Sequence, residues 1–186
     1  KVFKESKYGN KKAKVITCIS CFYDIENNNK FLQDIYDVLD DDGLFVLQFS
    51  YTPLMIKQLA FDNLCHEHCY YYSLVNLKKI FERNNFTIMD CVLNDVNAGS
   101  ARIYLMKNSG NKKYFSTQPF RDVAQFRVDS LLEYEKTLQL DSAETWENFK
   151  KEIAPCRTFS LYKEISYLID RGLIKGGSLN TAVVIQ

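Results

Sequence analysis

The chain has 186 residues, 46% of them hydrophobic and 25% charged, and its formal net charge is +1. That is enough chain for one packed domain or one and a half, with an ordinary globular composition. The balanced charge excludes a global field toward nucleic acid or acidic lipid, and no apolar run approaches the ~20 residues that span a bilayer. Six cysteines with no secretory leader predict free thiols in a reducing, cytoplasmic setting. The chain opens on Lys1 rather than Met, so an upstream piece is expected.

Residues 15–20, VITCIS, form a short run rich in β-branched residues, which predicts a strand buried on both faces of a parallel sheet. Cys18 and Cys21 make a CxxC pair, expected to point opposite ways along that strand. A polar loop over 24–29 follows. Phe31, Leu32, Ile35, Val38 and Leu39 recur at helical spacing, and the run Asp40, Asp41, Asp42, Gly43 is expected to stop the helix, with Gly43 as its C-cap. Residues 44–50, LFVLQFS, predict a second buried strand and so a right-handed βαβ unit. Thr52 and Pro53 predict a short helix capped by the threonine.

Ser73 is expected to cap a helix carrying Leu74, Leu77, Ile80 and Phe81 on one side, ended by Asn84 and Asn85. Residues 86–92 and 102–106 predict two strands around a polar turn, hence a hairpin that adds an antiparallel member to the sheet. The polar stretch 107–120 is taken as a boundary. Residues 123–138 and 146–169 then predict helices, interrupted near Pro155, before a glycine-rich and finally apolar end.

Both histidines lie in residues 61–73, FDNLCHEHCYYYS. Cys65, His66, His68 and Cys69 are zinc-ligand types, but their spacing argues against a tetrahedral site. On a strand Cys65 faces away from the histidines, on a helix the histidines diverge, and no metal is expected. Thiol catalysis by Cys65 or Cys69 lacks an oxyanion motif to support it. Proton transfer fits better: an imidazole titrates near neutral pH, Glu67 is placed to orient it, and the segment follows a strand whose carboxyl edge is where open α/β sheets bind ligands. The alternative is a satisfied core histidine among core tyrosines.

The segments FYDIENNNKFLQDIYDVLDDDGLFVLQFSY, FDNLCHEHCYYYS and NDVNAGSARIY, in this order, resemble successive motifs of S-adenosylmethionine-dependent C-methyltransferases, the type that methylates a carbon of nucleotide-linked deoxyketosugars. The resemblance runs from about Lys14 to Gln186. It implies an α/β fold: a partial Rossmann-like sheet with a final antiparallel hairpin over 1–113, then a helical segment and the start of a second α/β domain over 114–186. It implies that His68 removes a proton from carbon beside a ketone, Glu67 positions it, and His66 or the tyrosines Tyr70, Tyr71 and Tyr72 stabilise the enolate. Ser20, Cys21, Phe22 and Tyr23 would line the cofactor, and Tyr71, Tyr72, Asn97, Ser100 and Arg102 the small-molecule acceptor, with no nucleic acid or membrane partner.

The chain departs from the family at Cys65, where a tyrosine is usual, at Ala98, and in its late motif GGSLNTA over 176–182. The strand at Val15 corresponds to the family's fourth, so the glycine-rich cofactor loop is expected upstream and this strand is expected to present a bare edge. The competing expectation is a degenerate, non-catalytic remnant that serves as a binding or scaffold domain.

Overall fold

The computed structural model describes residues 11–60, 63–64, 67–110, 119–153 and 183–184. A four-stranded sheet of order β1-β2-β5-β4 organises them, with β1 Ala13–Ile19, β2 Leu39–Ser50, β4 Phe86–Asn94 and β5 Ser100–Lys107. β1 runs parallel to β2, and β5 runs antiparallel to both β2 and β4. The expected βαβ unit and hairpin are both present. α1, Asn28–Val38, makes the crossover, and Asn27 caps it by accepting from the Lys30 main-chain N–H. β1 is an edge strand, and Val15 and Ile19 on it are exposed. No helix among the described residues is long and apolar enough to cross a membrane.

The acidic run does not stop a helix as expected. α1 ends at Val38, and residues 40–43 lie inside β2. Lys14 from one side meets Asp40 at 2.8 Å, and Lys107 from the other meets Asp41 at 3.0 Å, so neighbouring cations offset the like charges. Gly43 is therefore no C-cap. Its α-carbon sits where the β1–β2 register shifts, and a Cβ there would lie 2.9 Å from the Ala13 carbonyl oxygen. α2, Thr52–Lys57, is also capped differently: Tyr51 holds the N-cap position, and the buried Thr52 hydroxyl has no hydrogen-bond partner.

The core lies between the sheet and its helices. Phe22, Phe45, Phe49, Tyr51, Phe81 and Phe86 are fully buried there, and Phe22 packs against Tyr72 and Phe81 at ring distances of 5.4 and 6.1 Å. α3, Leu74–Arg83, contributes Leu74, Leu77 and Phe81 to this core. Ser73 caps it as expected by accepting from the Asn76 N–H, and Asn84 ends it.

The other two donors of the first turn are met from an unexpected direction. α4, Phe120–Thr137, packs on β4 and α3, with Val128 in the core cluster. Its Glu135 is buried and accepts from Leu74 N–H at 2.5 Å and Val75 N–H at 2.8 Å. The carboxylate also accepts from the Tyr51 hydroxyl at 2.5 Å. A negative group at a helix start answers both its free N–H groups and its dipole. Arg127, also on α4, donates twice to Asp90 on β4, at 2.9 and 2.5 Å.

α5, Ala143–Ile153, buries Trp146 and Phe149. The expected helix over 146–169 is thus seen only to Ile153, and its remainder, with Pro155 and the late motif, lies outside the described residues apart from residues 183–184. β3, Tyr70–Tyr71, pairs antiparallel with β6, Val183–Val184.

Candidate active site at the carboxyl edge of the sheet

Three segments converge beyond the carboxyl ends of β1 and β2. The first is the loop after β1. Ser20 adopts a left-handed φ of 53°, its N–H donates to the Gln48 carbonyl, and a short 3-10 turn, Phe22–Asp24, follows. The second is residues 67–72, tied to the end of β2 by a bridge between Tyr51 and Tyr72. The third is the hairpin turn before β5, where Gly99 has a φ of 113° and a Cβ would fall 2.7 Å from Leu54 Cβ.

His68 is half-buried at the junction of the first two segments. Its ring centre lies 4.2 Å from that of Tyr23 and 5.9 Å from that of Tyr71. Burial holds its pKa below the ordinary imidazole value, against the opposing pull of Asp24, a hydrogen bond to the Asn63 main chain and Glu67. The neutral imidazole therefore predominates at neutral pH, which is the form a base requires. Asp24 is exposed, and partial desolvation raises its pKa from the ordinary value, with His68 pulling the other way. Glu67 is exposed on a turn beside them. His66 and Cys65 lie outside the described residues. Among the described residues no group of three or more His, Cys, Asp and Glu could hold a metal ion.

The tyrosines turn inward. Tyr70 donates to the Glu26 carbonyl at 2.8 Å, Tyr71 to the Asn63 carbonyl at 3.4 Å, and the Tyr72 hydroxyl accepts from Asn28. Tyr72 is 1% exposed and belongs to the core cluster, and burial raises its pKa. Beside Tyr70 lies a cavity of about 430 Å³ lined by Glu26, Asn27, Asn28, Asn29, Ile80 and Arg83.

Of the residues expected around the acceptor, Asn97 is exposed in the turn, and its carbonyl accepts from Asn63 at 3.5 Å. Ser100 is fully buried and donates to the Val96 carbonyl at 2.7 Å. Arg102 pairs across the strands with Gln48, donating to its Oε1 from Nε at 3.0 Å and Nη2 at 2.7 Å. Of the four expected at the cofactor, Ser20 and Cys21 are accessible and Tyr23 touches His68. Phe22 and Tyr23 are both buried in the core cluster, so their rings serve the core.

Sequence reasoning did not single out Asn63, which contacts both His68 and Asn97, nor Glu135. Asn63 has no motif of its own, and Glu135 looks like any charge on a helix face.

The CxxC pair also differs from expectation. β1 ends at Ile19, and the left-handed turn at Ser20 brings Cys21 back, so that its Sγ lies 3.0 Å from Cys18 Sγ.

With that geometry in place, similarity to known proteins falls into two parts. Residues 1–90 match the family described as methyltransferase domain. Residues 97–186 match another, UDP-3-O-acyl N-acetylglycosamine deacetylase. The resemblance noted from Lys14 to Gln186 therefore meets a methyltransferase family as far as residue 90 and a different family beyond it.

The C-methyltransferase NovU of Streptomyces niveus is 30% identical over 92 residues, which is 50% of this chain and 22% of that protein. The UDP-3-O-acyl-N-acetylglucosamine deacetylases of Chlamydia felis and Chlamydia abortus are 64% and 62% identical over 42 residues, 23% of this chain and 15% of theirs. The chain thus spans less than a quarter of the length of these curated relatives. The sheet itself is not divided where the matches change, since β5 lies between β2 and β4.

Proposed function

We propose that this chain is part of an S-adenosylmethionine-dependent C-methyltransferase. It deprotonates a carbon next to a ketone and methylates that carbon, on a nucleotide-linked sugar or a similar small molecule. The observation that carries the reading is the half-buried His68 imidazole, held neutral by desolvation at the carboxyl edge of the sheet. The methyltransferase match over 1–90 and the similarity to a C-methyltransferase support the reaction class.

In this reading a ring nitrogen of His68 takes the proton from the acceptor carbon. The imidazolium so formed is favoured by Asp24 and Glu67, which lie on the side that already pulls its pKa upward. Tyr23 and Tyr71 pack their rings against the imidazole. The three tyrosine hydroxyls are engaged within the fold, so His66 is the remaining donor proposed for the enolate oxygen. Bound S-adenosylmethionine supplies an electrophilic methyl group, and Ser20 and Cys21 would line its side. In the full-length protein His68→Ala should cut methyl transfer about 100-fold or more with S-adenosylhomocysteine affinity unchanged. Wild-type turnover by that variant removes His68 from the mechanism.

The rival reading is a degenerate, non-catalytic remnant that serves as a binding or scaffold domain, and the match over 97–186 does not favour it over the enzyme. Calorimetric titration of S-adenosylhomocysteine into this chain and into the full-length protein separates the two. Binding by the longer chain supports the enzyme, and silence from both, with folding intact, supports the scaffold.

A further inference from the structure

A close pair of thiols in the loop after β1 is not used by the proposed reaction. Cys18 is the last inward-facing residue of β1 and is 4% exposed, while Cys21 is exposed at the start of the Phe22–Asp24 turn. Their sulfurs are 3.0 Å apart, about 1 Å beyond a disulfide bond length. The left-handed Ser20 between them sets this approach, and the Ser20 N–H anchored on Gln48 fixes it. The other two thiols in the described residues are placed differently. Cys69 donates to the Asp24 carbonyl at 3.6 Å, and Cys91 is buried on β4.

We propose that Cys18 and Cys21 are a redox modification site that forms a reversible intramolecular disulfide with a low-molecular-weight disulfide of the glutathione type as oxidant. The exposed Cys21 attacks as thiolate on one sulfur of the oxidant, forming a mixed disulfide and releasing one thiolate. Cys18 then loses its proton and attacks Cys21 Sγ, the Cys18–Cys21 bond forms, and the second thiolate leaves. Two protein thiols and one small disulfide become one protein disulfide and two small thiols, with the two thiol protons carried by the products.

The order of attack follows from access, since only Cys21 is open to solvent. Burial, Cys21 and Asp24 all act against the Cys18 thiolate and push its pKa up. Strong dithiol oxidants owe their character to a stabilised reduced form, and this pair lacks that stabilisation. Closure would fix the turn that carries Tyr23 against His68. Any effect on methyl transfer rests on the function proposed above, whereas bond formation does not.

The test equilibrates the folded chain with glutathione and oxidised glutathione across a range of ratios. Acid quenching, alkylation in denaturant and trypsin digestion follow. Both cysteines fall in the tryptic peptide 15–30. The expected result is that this peptide becomes two hydrogens lighter and unalkylated as the ratio turns oxidising, and regains two alkyl groups on reduction. Cys21→Ser should abolish the loss and leave Cys18 alkylated, and Cys91 should stay alkylated throughout. A peptide alkylated twice at every ratio would overturn the proposal. So would Cys21 held only as a glutathione adduct, or joined to Cys69.

Discussion

Glu135 and His68 are both titratable, both taken out of water, and both shifted by that burial, yet their surroundings differ in kind. Glu135 sits where α4 meets α3, and its carboxylate accepts from two main-chain N–H groups and the Tyr51 hydroxyl. Desolvation still raises its pKa over the combined pull of those donors. His68 sits in a loop at the sheet edge with aromatic rings on two sides, a hydrogen bond to the Asn63 main chain and charges from Asp24 and Glu67 nearby. A group whose capacity is filled by the fold holds the fold together. A half-buried group at the sheet edge, with its ring partly in solvent, can still exchange a proton.

The largest effect that should follow from this contrast is on stability. Glu135→Ala leaves two helix N–H groups and a buried tyrosine hydroxyl without their acceptor. It should lower the unfolding free energy by about 3 kcal/mol or more, read as a shift in urea midpoint at unchanged slope. An effect under about 1 kcal/mol would mean that α4 is not held through this carboxylate. His68→Ala, by contrast, should alter the unfolding free energy by less than about 1.5 kcal/mol, since the half-buried ring completes no buried polar network.

A smaller effect separates the two groups by pH. The folded pKa of Glu135 lies above its unfolded value, so between those two values the folded state holds more protons. Its contribution is full below the unfolded value and declines as pH rises through the folded one, by at most about 1.4 kcal/mol per pH unit. Glu135→Gln should remove that slope in urea titrations, and an unchanged slope would assign it to another carboxyl.

His68 works in the opposite sense. Its folded pKa lies below the unfolded imidazole value, so its contribution is present above about 6.5 and is lost as pH falls through the folded value. Proton NMR of the His68 ring should place its midpoint below that of a histidine in a flexible peptide. A midpoint above about 7 would make the imidazolium the resting form at neutral pH and count against a basic role.

The smallest expected change is at Ser73. Its hydroxyl serves one N–H of the helix that Glu135 already caps, so Ser73→Ala should cost about 1 kcal/mol. Combined with Glu135→Ala the loss should exceed the sum of the two, because both act on one helix start.

Much of this was legible in the chain itself. β-branched runs at 15–20 and 44–50, the helical spacing from Phe31 to Leu39, Ser73 as a cap and the turn before Ser100 are local signals. Local periodicity and capping chemistry need no partner to be read. The segment holding His68 was also marked, because two histidines around a glutamate after a strand is a chemical signal.

What the sequence could not decide depended on residues far apart in it. Asp40 to Gly43 reads as a helix stop until Lys14 and Lys107 flank it in the sheet. Cys18 and Cys21 read as opposed until one left-handed residue turns the chain back. Tyr72 reads as a site residue until Phe22 and Phe49 pack against it, and Glu135 reads as a surface charge until α3 offers it two N–H groups across 61 and 60 residues. Pattern along a chain determines which segments are helix or strand, because those bonds are short in sequence. Which polar groups become buried and satisfied is settled only when distant segments pack, since burial and partner arrive together.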